Sequence, residues 1–351
     1  MLIFPSFNSL FAQDNNLGFK KVSRIAKRLV RKKKVPGIAI SVIKDGLMIY
    51  SEGFGYSDIE GKKEVKPDST IFRIGSISKP IAAVGLAKMV DAKTISLDSF
   101  ISTYIPYFPQ KKYDFTIKQL GGHLAGIRNY KGNEFMNNKP LSVEEGVDIF
   151  INDSLLFEPG KDYLYTSYSW NLIALAMQEA AKDDFETLIN DKVLSPIGMN
   201  NTYPDKNQSI SHKAKFYKKK RFRVFKETKT VNNYYKLASG GYLSTSEDIA
   251  IFGSALLKGN IISPNVFDEF ITSQYINDKK TYYGIGFQTS FDSDGRAYYG
   301  HIGNGLGGYG IFYVYPKEKV VCVILTNCSD PNQDRKLNKI ISHIFSELDL
   351  D

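Results

Sequence analysis

Strand patterns stand at both ends of this sequence and helical patterns lie between them, and that order restricts the fold more than any other feature. Near the start, "VPGIAISVIKDGLMIYSEGFGY" reads as two strands turning at Asp45-Gly46, a dipeptide that favours a tight hairpin. Near the end, "TYYGIGFQTS", "RAYYGHIG", "GYGIFYVYP" and "KVVCVILTN" read as further strands, with a turn at Asp294-Gly295 and a last helix after Pro331. Between them the spacing predicts a helix from about Ser76 to Asp91, and another in "SVEEGVDIFIND" with a capping box from Ser142 to Glu145. "SYSWNLIALAMQEAAK", "DFETLINDKVL" (ending before Pro196) and "STSEDIAIFGSALLKGN" (capped by Ser244 with Glu247) follow as helices, and "AKFYKKKRFRVFKE" as a solvated hairpin. One antiparallel sheet built from both ends, with a helical insertion, is an α+β layout. The sheet lobe covers about 17–95 and 227–351, the helical lobe about 96–226, and a crevice separates them.

Charge is concentrated in one place. The net charge of +9 comes from 46 basic and 37 acidic residues, and nine of the bases are Lys20, Lys21, Arg24, Lys27, Arg28, Arg31, Lys32, Lys33 and Lys34, with no acid among them. The remaining bases equal the acids, so the body of the chain lacks the excess that nucleic-acid binding demands. Residues 19–34 read as an amphipathic helix with Phe19, Val22, Ile25, Ala26 and Leu29 on one side. Its basic face fits either peripheral contact with an anionic membrane surface or a solvated outer face on a docked helix. The two cysteines, Cys322 and Cys328, sit in one strand-like run, where six extended residues would hold them ~20 Å apart, too far for a disulfide. They form no metal-binding pattern. Residues 1–16, "MLIFPSFNSLFAQDNN", resemble the end of a secretory signal peptide cut near Ala12 or Gln13, from which export to the periplasm or outside is expected.

Chemistry enters through Ser-x-x-Lys, which occurs twice. Ser41 and Lys44 fall on a strand, where a spacing of three puts side chains on opposite faces. Ser76 and Lys79 fall at a helix start, where i and i+3 share a face, and Pro80 confines that start to the neighbourhood of Ser76. A serine hydroxyl there lies near helix N–H groups, and a lysine of lowered pKa could take its proton. A helix cap near a surface lysine fits the same four residues. Other templates fail: there is no Gly-x-Ser-x-Gly, no His-Glu-x-x-His and no phosphate loop. "GNGLGG" at 303–308 is followed by a strand, not by the helix a dinucleotide site needs. His212 and His343 fall in no pattern.

With Ser76-Ile77-Ser78-Lys79 placed, "VPGIAISVIKDG", "GSISKP", "GGHLAGIRNY", "FEPGKDYLYTS", "ASGGYLSTSEDIAIFG" and "GHIGNGLGGYG" follow in an order that resembles the beta-lactamase-related serine hydrolases. That family contains class C beta-lactamases, DD-peptidases and penicillin-binding esterases. "HLAGIRNY", the stretch from Ala214 to Thr245 and the Tyr-x-Ser at Tyr165 are most similar to its mitochondrial branch, which is described as peptidase. The resemblance implies a beta-lactamase/transpeptidase-like fold over 17–351, acting through an acyl-enzyme on a small-molecule or peptide substrate with no metal or cofactor. It implies Ser76 as nucleophile, Lys79 as its partner, and Tyr165 as the tyrosine sharing acid and base work. It implies Ser167, His301 and Gly303 on the substrate side, and the backbone N–H groups of Ser76 and Asn304 as oxyanion donors. His123 matches a structural loop, and Gly240 and Gly241 a backbone bend beside the site. Two departures stand out: Ser167 replaces the usual asparagine, and His301 replaces a lysine whose charge holds a substrate carboxylate. Both weaken the case for beta-lactam hydrolysis without disabling acyl transfer.

Overall fold

The computed structural model describes residues 18–221, 224–329 and 334–350, so the expected leader at 1–16 lies outside them. Its main sheet has seven strands: β1 (Gly37–Lys44), β2 (Leu47–Asp58), β3 (Lys63–Glu64), β4 (Gln288–Phe291), β5 (Ala297–Gly305), β6 (Gly308–Tyr315) and β7 (Val320–Thr326). Their order is β4-β5-β6-β7-β1-β2-β3, and every neighbouring pair is antiparallel. The two ends of the chain therefore meet in the middle of the sheet, where Ile38 faces Thr326 and Lys44 faces Val320. The hairpin between β1 and β2 turns at Asp45 and Gly46, whose φ values of 50° and 83° give the twist a two-residue turn requires.

Four helices flank this sheet, α1 (Lys20–Arg31), α2 (Ser78–Asp91), α4 (Ser246–Lys258) and α5 (Asp334–Glu347), and α3 (Ser167–Ala181) packs against α2. Ala39, Ile43, Val321, Val323 and Leu325 point to one face, into a core shared with α2, α3 and α4. Ile38, Ile40, Val42, Cys322 and Ile324 point to the other, against α1 and α5. Both faces are covered, which is why β1 and β7 read as unbroken apolar runs and not as alternating ones. Val22, Ala26 and Leu29 of α1 are buried, and its cations face outward. No helix among the described residues is long and apolar enough to cross a membrane.

The helical region holds more strand than expected. Tyr203–Pro204 joins Phe72–Arg73 and Tyr242–Ser244 in a three-stranded sheet, and Tyr217–Lys219 pairs with Phe225–Glu227 as the expected hairpin. The Ser142 capping box is present with both of its bonds. The cap of α4 is shifted by one residue: Thr245 accepts from the Asp248 N–H, because Ser244 is held in strand pairing opposite Phe72. The segment from Phe185 does not stop before Pro196. A helical turn at Phe185–Ile189 opens into a π turn at Asn190–Leu194 and closes as Ser195–Ile197. The wide turn and fresh start accommodate a proline, which cannot donate to the preceding turn. Cys322 lies in β7 but Cys328 lies beyond its end; both are buried and neither is in a disulfide.

Candidate active site

The chain enters the site through Ile74 and a 3₁₀ turn, Gly75–Ile77, that runs directly into α2. From Thr70 to Ala87 every residue is buried except Ser76. Ser76 makes no capping bond: Ile77 occupies the cap position of α2 and no side chain caps it. Ser78 does the local bracing, donating to the Gly75 carbonyl at 2.8 Å and accepting from the Tyr242 N–H at 3.1 Å. Gly75 has φ of +53°, and a Cβ there would lie 2.9 Å from both the N and the O of Asn304. A Cβ on Gly303 would lie 1.9 Å from the Ile74 carbonyl oxygen. Two glycines thus bring the edge of β5 against the serine turn, and Asn304 beside Ser76. Gly75→Ala is expected to destabilise the fold by about 2 kcal/mol or more, because strain and close contact act together. The midpoint of urea unfolding measures this, and a shift within error would show that the turn is looser than its geometry.

Lys79 is fully buried, one turn after Ser76. Its Nζ lies 3.2 Å from Ser76 Oγ and donates to the Ser239 carbonyl at 2.7 Å. It also sits 4.8 Å from the centre of the Tyr165 ring. Burial, reinforced by the charge of Lys236, holds its pKa well below the ordinary lysine value. A neutral amine keeps N–H donors for Ser239 and has a lone pair for the serine proton. The decoy pair behaves as its spacing predicts: Ser41 donates to Ser246 at 2.8 Å in the core, and Lys44 pairs with Asp45 at the surface.

Tyr165 precedes α3, whose cap is Thr166, accepting from the Tyr168 N–H at 3.2 Å. Thr166 also donates its hydroxyl to the Arg128 carbonyl and its N–H to His123 Nδ1, at 2.7 and 3.3 Å. This fixes the tyrosine from both sides. The Tyr165 hydroxyl is buried and has no hydrogen-bond partner among the described residues. Burial pushes its pKa up, while the nearby Ser76 hydroxyl, close but outside bonding geometry, works in the opposite direction. His123 packs against Tyr165 and Tyr283 with ring centres 4.5 and 4.7 Å away. Burial keeps His123 neutral, and its left-handed backbone, φ 65°, belongs to the turn that carries it.

His301 lies on β5, buried in the same aromatic cluster, 5.9 Å from Tyr165 between ring centres. Its Nδ1 donates to the Ile302 carbonyl at 2.6 Å, which leaves Nε2 to accept from the Tyr283 hydroxyl at 3.0 Å. Burial, then the charge of Lys79, pushes its pKa down to about 3. The imidazole is therefore uncharged with both nitrogens engaged. Ser167 opens α3, half-buried, and its hydroxyl bears on that of Tyr130. The structure thus gathers Ser76, Lys79, Tyr165, His301, Gly303 and Asn304 around one point, with Ser167 one residue pair away through Tyr130. Gly241 is tightly enclosed, 2.4 Å from the Asn233 carbonyl oxygen to a Cβ; Gly240 is not.

The Beta-lactamase family model matches residues 22–343. The chain belongs to the Beta-lactamase family. The human mitochondrial serine beta-lactamase-like protein LACTB is 29% identical over 295 residues, covering 64% of this chain and 54% of the relative. The chain thus spans about half the length of that curated relative. The octameric penicillin-binding protein homologue from Pyrococcus abyssi superposes with a TM-score of 0.82 at 24% identity, over 94% of this chain and 78% of that one. D-amino acid amidase from Ochrobactrum anthropi SV3 gives 0.83 at 19% identity, over 95% and 99%. At these identities the two structures speak for the fold: the beta-lactamase/transpeptidase-like fold read from the sequence.

Beside the residues expected from the sequence, four others lie around Ser76 and Lys79 or hold their neighbours. Ser239 supplies the carbonyl that receives Lys79, while its hydroxyl donates to Asn171 at 2.7 Å. Tyr130, pushed up to about 12 by burial, has its hydroxyl eased by those of Ser167 and Ser239. Lys236 is nearly buried, donates to the Phe135 carbonyl at 2.6 Å, and falls to about 7, chiefly through burial. Tyr283 holds His301. Tyr130 and Ser239 stood inside quoted motifs, "GIRNY" and "ASGG"; nothing in the sequence singled out Lys236 or Tyr283.

Proposed function

We propose that this chain is a serine hydrolase that cleaves amide or peptide bonds through an acyl-enzyme on Ser76. One observation carries the proposal: the only accessible residue of a buried segment is a serine, 3.2 Å from a buried, readily deprotonated lysine amine. Neutral Lys79 takes the Ser76 proton as Oγ attacks the substrate carbonyl. The backbone N–H groups of Ser76 and Asn304 face the oxyanion; one such donor is typically worth ~3–4 kcal/mol in the transition state. Tyr165 enters the reaction as a protonated phenol. It gives its proton to the leaving amine as the C–N bond breaks, and Lys79 returns one to the phenolate. Water then attacks the acyl-enzyme with the same groups working in reverse, and Ser76 is restored. An acid held protonated matters more for an amine leaving group than for an alcohol, and this favours amides over small esters. His301, Gly303 and Ser167 line the substrate side.

Intact mass after exposure to a fluorophosphonate tests the nucleophile. One adduct is expected on the wild type and none on Ser76→Ala. No adduct on either would withdraw the hydrolase reading. Turnover of p-nitrophenyl esters against peptide amides then separates peptidase from esterase, and a long-lived penicilloyl adduct would mark a slowly deacylating penicillin-binding protein instead.

A further inference from the structure

A groove of about 410 Å³ runs between α1 and α5, on the face of the sheet opposite the catalytic core. Lys21, Arg24 and Arg28 line it from α1, Lys32 and Lys34 from the turn that follows, and Lys336 and Lys339 from α5. The spacing of Lys21, Arg24 and Arg28 puts them on one side of α1, and Lys32 at its C-terminal cap extends the row to roughly 16 Å. No carboxylate lines the groove among the described residues, and its floor is apolar, formed by Ile25 and Leu29. The cations press on one another: Lys336 is held below its ordinary pKa, first by slight burial and then by Lys34, Arg28 and Lys32. A second groove along the other flank of α1 adds Lys20, Lys27 and Arg31, with one carboxylate, Glu52, held there by Ser23 and Tyr50. The sequence showed half of this arrangement, because α5 lies three hundred residues away from α1 and carries only part of the charge.

We propose that the α1–α5 face docks on anionic phospholipid headgroups. A row of cations this long exceeds what one phosphate can contact but matches a lipid surface, and the apolar floor accepts the glycerol and upper acyl region beneath the phosphates. The rest of the chain carries as many acids as bases, so the net positive excess lies on this face and favours one orientation. Docked in this way, the protein presents Ser76 away from the bilayer, with the sheet between them.

The test is co-sedimentation of the full chain with phosphatidylcholine vesicles, with and without phosphatidylglycerol. Binding is expected only with phosphatidylglycerol. Lys336→Glu with Lys339→Glu, both exposed, should weaken it at least about tenfold, since each charge near the surface contributes. Lys279→Glu with Lys280→Glu, an equal charge change on an exposed hairpin elsewhere, should leave it nearly unchanged. Thermal unfolding of each variant verifies the fold. Absence of wild-type binding overturns the proposal, as does equal weakening by the two pairs. Displacement by inorganic phosphate at constant ionic strength would reassign the groove to a free anion and also overturn it.

Discussion

Ser76→Ala should lower kcat on any turned-over ester or amide by a factor on the order of 10⁴–10⁶, the range seen when a catalytic serine is removed. Its stability should change by no more than about 0.5 kcal/mol. The two expectations together separate the competing meanings of the residue. A helix cap would do the opposite: its loss costs about 1 kcal/mol and leaves chemistry alone. The structure gives reason to expect the first pattern, since Ser76 makes no cap bond and is reachable where its neighbours are not. Kinetics and urea denaturation on the same variant decide it. Undiminished turnover would remove Ser76 from the mechanism.

Lys79→Met should lower kcat/KM by about 10²–10⁴, the usual contribution of a positioned base. In the wild type, kcat/KM should rise with pH through an apparent pKa well below the ordinary lysine value, because the amine must be neutral to accept a proton. That rising limb should vanish in the variant. The stability effect follows from the same shift. Between the depressed folded value and ~10.4, the unfolded chain binds the extra proton, so stability rises with pH across that window. Above it the group contributes nothing further. The native protein therefore carries an unfavourable buried amine near neutrality. A wild-type pH–rate profile with no rising limb below the ordinary lysine value would assign the proton to another group.

Much of this was legible because periodicity and turn chemistry act locally. The Asp45-Gly46 hairpin, the Ser142 capping box and the long apolar helix at Ser167 needed only near neighbours, and they stand where expected. The one-residue shift of the α4 cap and the passage through Pro196 were hidden, because strand pairing with Phe72 and a π turn decide them. The same division holds at the site. Ser76 and Lys79 share one turn of helix, so spacing revealed them. The Ser239 carbonyl, Tyr283 and Lys236 reach the site through the tertiary fold, and no short-range pattern could place them there.

The meeting of β1 and β7 at the sheet centre has a consequence for how the molecule comes into being. Its first strand cannot complete its ladder until residues 320–326 have been made, and β5, which backs the serine turn, also comes late in the chain. Contacts of such long sequence separation make folding slow. Until they form, β1 presents an open edge to any other extended chain. A ribosome that stops short of β7 releases a protein with no centre. The catalytic turn thus gains its backing only after β5 and β7 have been made, which guards against a truncated chain carrying a reactive serine.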